Sequence, residues 1–101
     1  MTVAAKERID ADTVRAEIEI VNQLGLHARA AARFVETASR FSAEVTVTSG
    51  EETVSGKSIL GLMMLAAGPG TQLVLLASGS DAEEAIDALG ELVAGRFHEQ
   101  A

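Results

Sequence analysis

The stretch that most constrains the fold is Gly25-Leu26-His27-Ala28-Arg29, because the hydrophobic period changes across it. Before it, Ala16-Glu17-Ile18-Glu19-Ile20 alternates apolar and acidic residues, the pattern of a half-buried strand. After it, Ala28 to Phe41 repeats with helical period. A strand with one solvated face implies an antiparallel sheet covered on one side only. His27 therefore stands where a loop becomes a helix. The first backbone N–H groups of a helix lack intrahelical partners, and that end of the helix dipole is positive. A phosphoryl group carried on His27 would meet those donors, and the guanidinium of Arg29 adds a planar fork suited to phosphate. A lone histidine ahead of a helix is more commonly an ordinary cap, so the surrounding pattern has to carry the reading.

Residues 1–13 are charged and weakly periodic and read as a flexible N-terminal tail. The folded domain is expected over 14–97, with 98–101 a short C-terminal tail. Arg15 to Asn22 forms the first strand, with Val14, Ala16, Ile18 and Ile20 on one face. A helix follows over about 28–40; Ala28, Ala31, Ala32, Phe34, Val35 and Ala38 share its inner arc, and Arg29, Arg33, Glu36, Thr37 and Arg40 its outer one. Residues 43–49 and 52–55 are two further strands, joined by a hairpin turn at Gly50-Glu51. Ser58 is a suitable N-cap for a short helix from Ile59 to about Leu65. That helix is apolar nearly all round, so Ile59, Leu60 and Met63 should be exposed as a docking patch, with Leu62 and Leu65 in the core. Gly68-Pro69-Gly70 is a turn, and Gln72 to Ser78 is a strand apolar enough to lie inside the sheet. Ser80-Asp81-Ala82-Glu83 has the form of a capping box, and the helix it starts ends at Gly95. The expected class is α+β: a two-layer open-faced sandwich, with a four-stranded antiparallel sheet and three helices on one face in the order βαββαβα.

Composition narrows the chemistry. The 101 residues include no cysteine, which removes disulfides, thiolate metal sites and thiol catalysis. Two histidines are too few for a metal cluster, so neither metal nor cofactor is expected. No apolar run is long enough to span a bilayer, and the N-terminus lacks the apolar core of a secretory signal; a cytoplasmic location is expected. A net charge of −7 disfavours nucleic acid and anionic membranes as bulk partners. Arg29, Arg33 and Arg40 nevertheless share one helix, a basic face suited to an acidic protein surface.

Gly25-Leu26-His27-Ala28-Arg29, followed by Ala31-Ala32 and Phe34-Val35, and later Gly56-Lys57-Ser58-Ile59-Leu60-Gly61, resemble HPr, the histidine phosphocarrier family of bacterial phosphotransferase systems. The resemblance covers about Arg15 to Phe97. The interval from His27 to Ser58 is the one that separates the family's phosphorylated histidine from its regulatory serine. The resemblance implies that His27 takes a phosphoryl group on Nδ1 from phospho-enzyme I and passes it to a IIA-type domain. It implies that Arg29 stabilises the phosphoryl charge, that Ile59, Leu60 and Met63 (with Arg33 beside them) dock partners, and that Ser58 is modified where an HPr kinase/phosphorylase exists. It further implies a monomer acting as a relay, not an enzyme. Ala30 departs from the proline usual after the arginine; it loosens the helix start and adds one free N–H. The Arg96-Phe97-His98-Glu99 tail and the long N-terminus look more like proteobacterial or nitrogen-branch members than the sugar-transport type. His98 lacks a partner motif and reads as exposed and passive.

Two other functions compete. One is a regulatory interaction module switched by the phosphorylation of Ser58 or His27. The other is a small hydrolase using His27, which is disfavoured because no carboxylate lies beside His27 in sequence and the chain offers little depth for a substrate pocket.

Overall fold

The computed structural model describes residues 5–101; of the tail expected at 1–13, residues 1–4 lie outside them. Strands β1 (Ala5–Arg8), β2 (Thr13–Glu19), β3 (Glu44–Ser49), β4 (Glu52–Ser55) and β5 (Gln72–Ser78) form one sheet in the order β1-β2-β5-β3-β4. Every pairing is antiparallel. Helices α1 (Ala28–Ala38), α2 (Ile59–Met64) and α3 (Ala82–Ala94) complete the two-layer α+β sandwich.

The sheet has five strands where the sequence predicts four. The additional strand, β1, comes from the segment read as tail. It is too short and too charged to show a period, and tertiary contacts hold it. Its backbone pairs with β2. Lys6 meets Glu83 at 3.2 Å and Asp87 at 2.8 Å, and Arg8 meets Glu83 at 2.7 Å, which ties the strand to α3.

β5 lies between β2 and β3, as its apolar run suggests. Its inner residues Leu73, Leu75 and Ala77 oppose Ile18, Ala16 and Val14 on β2, and the last two also oppose Val47 and Val45 on β3. α1 packs against α2 and α3, and α3 lies over β2 and β5. Phe34, Phe97, Leu62, Ile86 and Leu89 fill the space between the layers and are fully buried.

α1 is rotated relative to the arc read from its alanines. Its buried residues are Ala30, Ala31, Phe34, Thr37 and Ala38, while Ala28 and Ala32 are exposed. Alanine is small enough to sit on either side, so Phe34 and its neighbours one turn away set the face. The capping box at α3 is also replaced. Asp81, not Ser80, is the N-cap residue, and its side chain makes no cap bond. Its carboxylate instead accepts from the N–H groups of Ser42 at 2.9 Å and Ala43 at 2.8 Å, joining the start of α3 to the segment that enters β3.

Candidate functional site

The loop between β2 and α1 is held by its neighbours. Gly25 has φ +67, and a Cβ there would lie 2.3 Å from the Ala67 carbonyl oxygen. That same oxygen accepts the Leu26 N–H at 2.9 Å. The loop thus leans on the segment after α2, and only glycine allows the approach.

His27 is the N-cap residue of α1, with extended backbone and no side-chain bond to the helix N–H groups. Its carbonyl accepts the Ala31 N–H at 2.8 Å. The earlier N–H groups of the first turn receive nothing from the His27 ring and remain available to an anion. The ring is 25% exposed, so it is reachable yet walled on one side. The wall is Glu99, whose Oε2 is hydrogen-bonded to His27 Nε2. The other carboxylate oxygen, Oε1, accepts from Asn22 Nδ2 at 3.1 Å, and the same nitrogen donates to the Gly25 carbonyl at 2.9 Å. Burial pushes the Glu99 carboxyl upward, but the bonds from His27 and Asn22 and the nearby Arg29 guanidinium outweigh it and hold the group below its ordinary value. A carboxylate on Nε2 favours the tautomer whose proton is on Nε2 and whose lone pair is on Nδ1.

Neither Asn22 nor Glu99 is found by sequence reading. Asn22 reads as the last residue of the first strand, and Glu99 falls in the segment read as a C-terminal tail. That segment is fixed: Phe97 is fully buried, and Arg33 Nη1 donates to the Phe97 carbonyl. Arg33 therefore braces the tail with one arm. Arg29 is exposed and, with Leu24, Arg33 and Glu99, lines a concavity of about 360 Å³. His98 is exposed, as expected.

Ser58 is the N-cap residue of α2, and its Oγ accepts the Gly61 N–H at 3.0 Å. Ile59, Leu60 and Met63 are exposed, with Leu60 at 69%, while Leu62 and Leu65 are buried. Met64, at 65% exposure, extends the patch beyond the residues named from the sequence. Because α2 packs on α1, the patch and the imidazole belong to the same helical layer.

The family described as "PTS HPr component phosphorylation site" matches residues 14–95. The phosphocarrier protein HPr of Neisseria meningitidis is 52% identical over 86 residues, covering 85% of this chain and 97% of that protein. The phosphocarrier protein NPr of Shewanella violacea is 47% identical over 83 residues, covering 82% and 91%. An HPr structure from Thermoanaerobacter tengcongensis superposes with a TM-score of 0.82 at 46% identity, covering 86% and 98%. The chain belongs to the HPr family, the phosphocarrier proteins of the phosphotransferase system. β1 precedes the matched residues.

Proposed function

We propose that His27 accepts a phosphoryl group on Nδ1 from phospho-enzyme I and passes it to a IIA-type domain, the chain acting as a monomeric relay and not as an enzyme. The observation that carries this is the engagement of Nε2 by Glu99, which leaves Nδ1 with the lone pair. In the forward step that lone pair attacks phosphorus and the donor's nitrogen leaves with its bonding pair. Charge on the three non-bridging oxygens is met by the first-turn N–H groups of α1 and by Arg29. The ring becomes an N-phosphorylated imidazolium, whose positive charge Glu99 balances through the Nε2 proton. In the onward step the Nδ1–P bond breaks toward the acceptor and neutral imidazole departs, a better leaving group than the anion. Glu99 serves both directions by keeping the proton on Nε2. No metal or cofactor is required on the carrier.

Ile59, Leu60 and Met63 would dock both partners, with Arg29, Arg33 and Arg40 facing acidic residues on them. A phosphate on Ser58 would place roughly −2 charge at the edge of that patch. It would weaken docking to an acidic partner, the basis of a second, regulatory use of the same surface.

Incubation with enzyme I, Mg²⁺ and phosphoenolpyruvate tests the relay. An acid-labile, base-stable adduct on His27 is expected, absent in His27→Ala. A label found on Ser58 in place of His27 would favour the regulatory module.

A further inference from the structure

Asn22 is fully buried, and among the described residues it and Thr37 are the buried polar side chains. Its amide orientation is fixed by what it faces. Nδ2 lies 2.9 Å from the Gly25 carbonyl oxygen and 3.1 Å from Glu99 Oε1, so a flipped amide would set oxygen against oxygen at both. Its own Oδ1 is buried and has no protein hydrogen-bond partner. A buried carbonyl left bare is a cost, and a position selected for stability alone would hold an apolar side chain. What the amide does provide is two donated bonds, and both acceptors belong to the surroundings of His27. Gly25 is in the loop that delivers the ring, and Glu99 is the ring's own partner.

The Glu99 end needs such a hold. Arg96, Phe97 and His98 have φ of 59°, 54° and 66°, three successive side-chain-bearing residues in the left-handed region. Local preference opposes that conformation at each of them. Local backbone bonds shape the turn: the His98 N–H donates to the Gly95 carbonyl and the Glu99 N–H to the Arg96 carbonyl. What fixes the tail to the rest of the fold, besides the His27 ring itself, is the burial of Phe97, the Arg33 bond to its carbonyl, and the Asn22 bond to Glu99. Of these, the Asn22 bond acts directly on the carboxylate that meets the ring.

We infer that Asn22 is a positioning residue for phosphoryl transfer, acting through Glu99 to keep the proton on His27 Nε2 and the lone pair on Nδ1. The inference rests on the relay proposed above. Its first readout, however, is made on the free protein and does not depend on transfer.

In the ¹⁵N-labelled full chain, the His27 Nε2–H should give a signal protected from exchange with water. Asn22→Ala should lose that signal. It should also slow phosphoryl transfer to His27 roughly tenfold, the scale of a small misplacement of a reacting group. In a Glu99→Ala background the same substitution should cost much less than tenfold, only the share that belongs to the Gly25 bond. Asn22→Asp keeps the packed volume, guards against a folding defect, and sets two carboxylates against each other, so it should lose the signal as well. The reciprocal pair Asn22→Asp with Glu99→Gln should restore the signal and part of the rate. There the introduced amide donates to the introduced carboxylate while its carbonyl accepts from His27; recovery is partial because the Gly25 carbonyl loses its donor. A protected signal and unchanged rate in Asn22→Ala, or a reciprocal pair no better than Asn22→Asp alone, would overturn the inference. Failure of the wild-type chain to be phosphorylated would sink the relay and with it any role of Asn22 in transfer, yet the ring signal would still decide whether Asn22, through Glu99, holds the proton on His27 Nε2.

Discussion

At the scale of single residues, the site is built from one readable group and two unreadable ones. His27 stands out because the hydrophobic period changes beside it, a local signal. Glu99 and Asn22 give no local signal. Glu99 reaches His27 across 72 positions and Asn22 across 77. No carboxylate lies beside His27 in sequence, which counted against a small hydrolase; the fold brings Glu99 to the ring from far along the chain. Gly25 was legible as a loop glycine but not as a contact. Its Cβ-less face lies against Ala67 and Gly68 backbone, with Gly68 Cα only 2.9 Å from an ideal Cβ. Gly25→Ala therefore combines a left-handed backbone penalty of about 1–2 kcal/mol with a clash that neither backbone segment relieves by rotating a side chain. Thermal unfolding should show a Tm lower by roughly 10 °C or more. An unchanged Tm would mean the loop does not lean on the segment after α2.

At the scale of elements, strands and helices with a clear period fall where the pattern puts them: β5 at Gln72–Ser78 and β4 at Glu52–Ser55 match the expected bounds. The elements that were missed lack any period of their own. β1 exists because β2 offers an open edge and α3 offers carboxylates to Lys6 and Arg8. The turn at Arg96–His98 exists because Phe97 has a place in the core, although none of its residues favours the left-handed region. Gly95, where α3 ends, stays outside that region with φ −84. The Phe97 ring is the turn's anchor in the core, beside the Arg33 and Asn22 bonds, and the turn should loosen without it. Phe97→Ala should cost about 3–5 kcal/mol in urea unfolding. Amide exchange in residues 96–101 should accelerate more than in β5. Equal acceleration in both would show the ring supporting the whole core and not this turn in particular.

At the scale of the whole molecule, three of the four carboxylates held below their ordinary values among the described residues join distant parts of the chain, and the fourth, Asp10, fixes a turn. Asp81 is held below its ordinary value by the N–H of Ser42, then that of Ala43, and so links α3 to the start of β3. Glu83 is lowered by its bonds to Lys6 and Arg8, which bind β1. Asp10 is lowered by the Asp12 N–H and the Thr13 hydroxyl in the turn between β1 and β2. Glu99, lowered by His27 and Asn22 against its own burial, ties down the tail. Each releases its proton more readily in the folded than in the unfolded chain. Their stabilisation is complete above the unfolded carboxylate range and is lost as pH falls through the folded values, from about pH 4 downward. Lys6 has the opposite sign. Asp87, then Glu83, raise it, so its contribution persists through neutrality and is lost only as pH rises past its raised value. Acidification also relieves the self-repulsion of a chain with net charge −7, which works the other way. In about 0.15 M salt the Debye length is near 8 Å, so repulsion spread over the surface is screened while bonds at contact distance are not. The contact bonds should win. Urea midpoints should be flat from about pH 6 to 8 and fall steadily below about pH 4. Asp81→Asn should lower the neutral plateau and flatten the acid limb, since the substituted group no longer titrates. A midpoint that rises as the pH drops from 6 to 4 would show diffuse repulsion, and not these particular carboxylates, setting the stability of the fold.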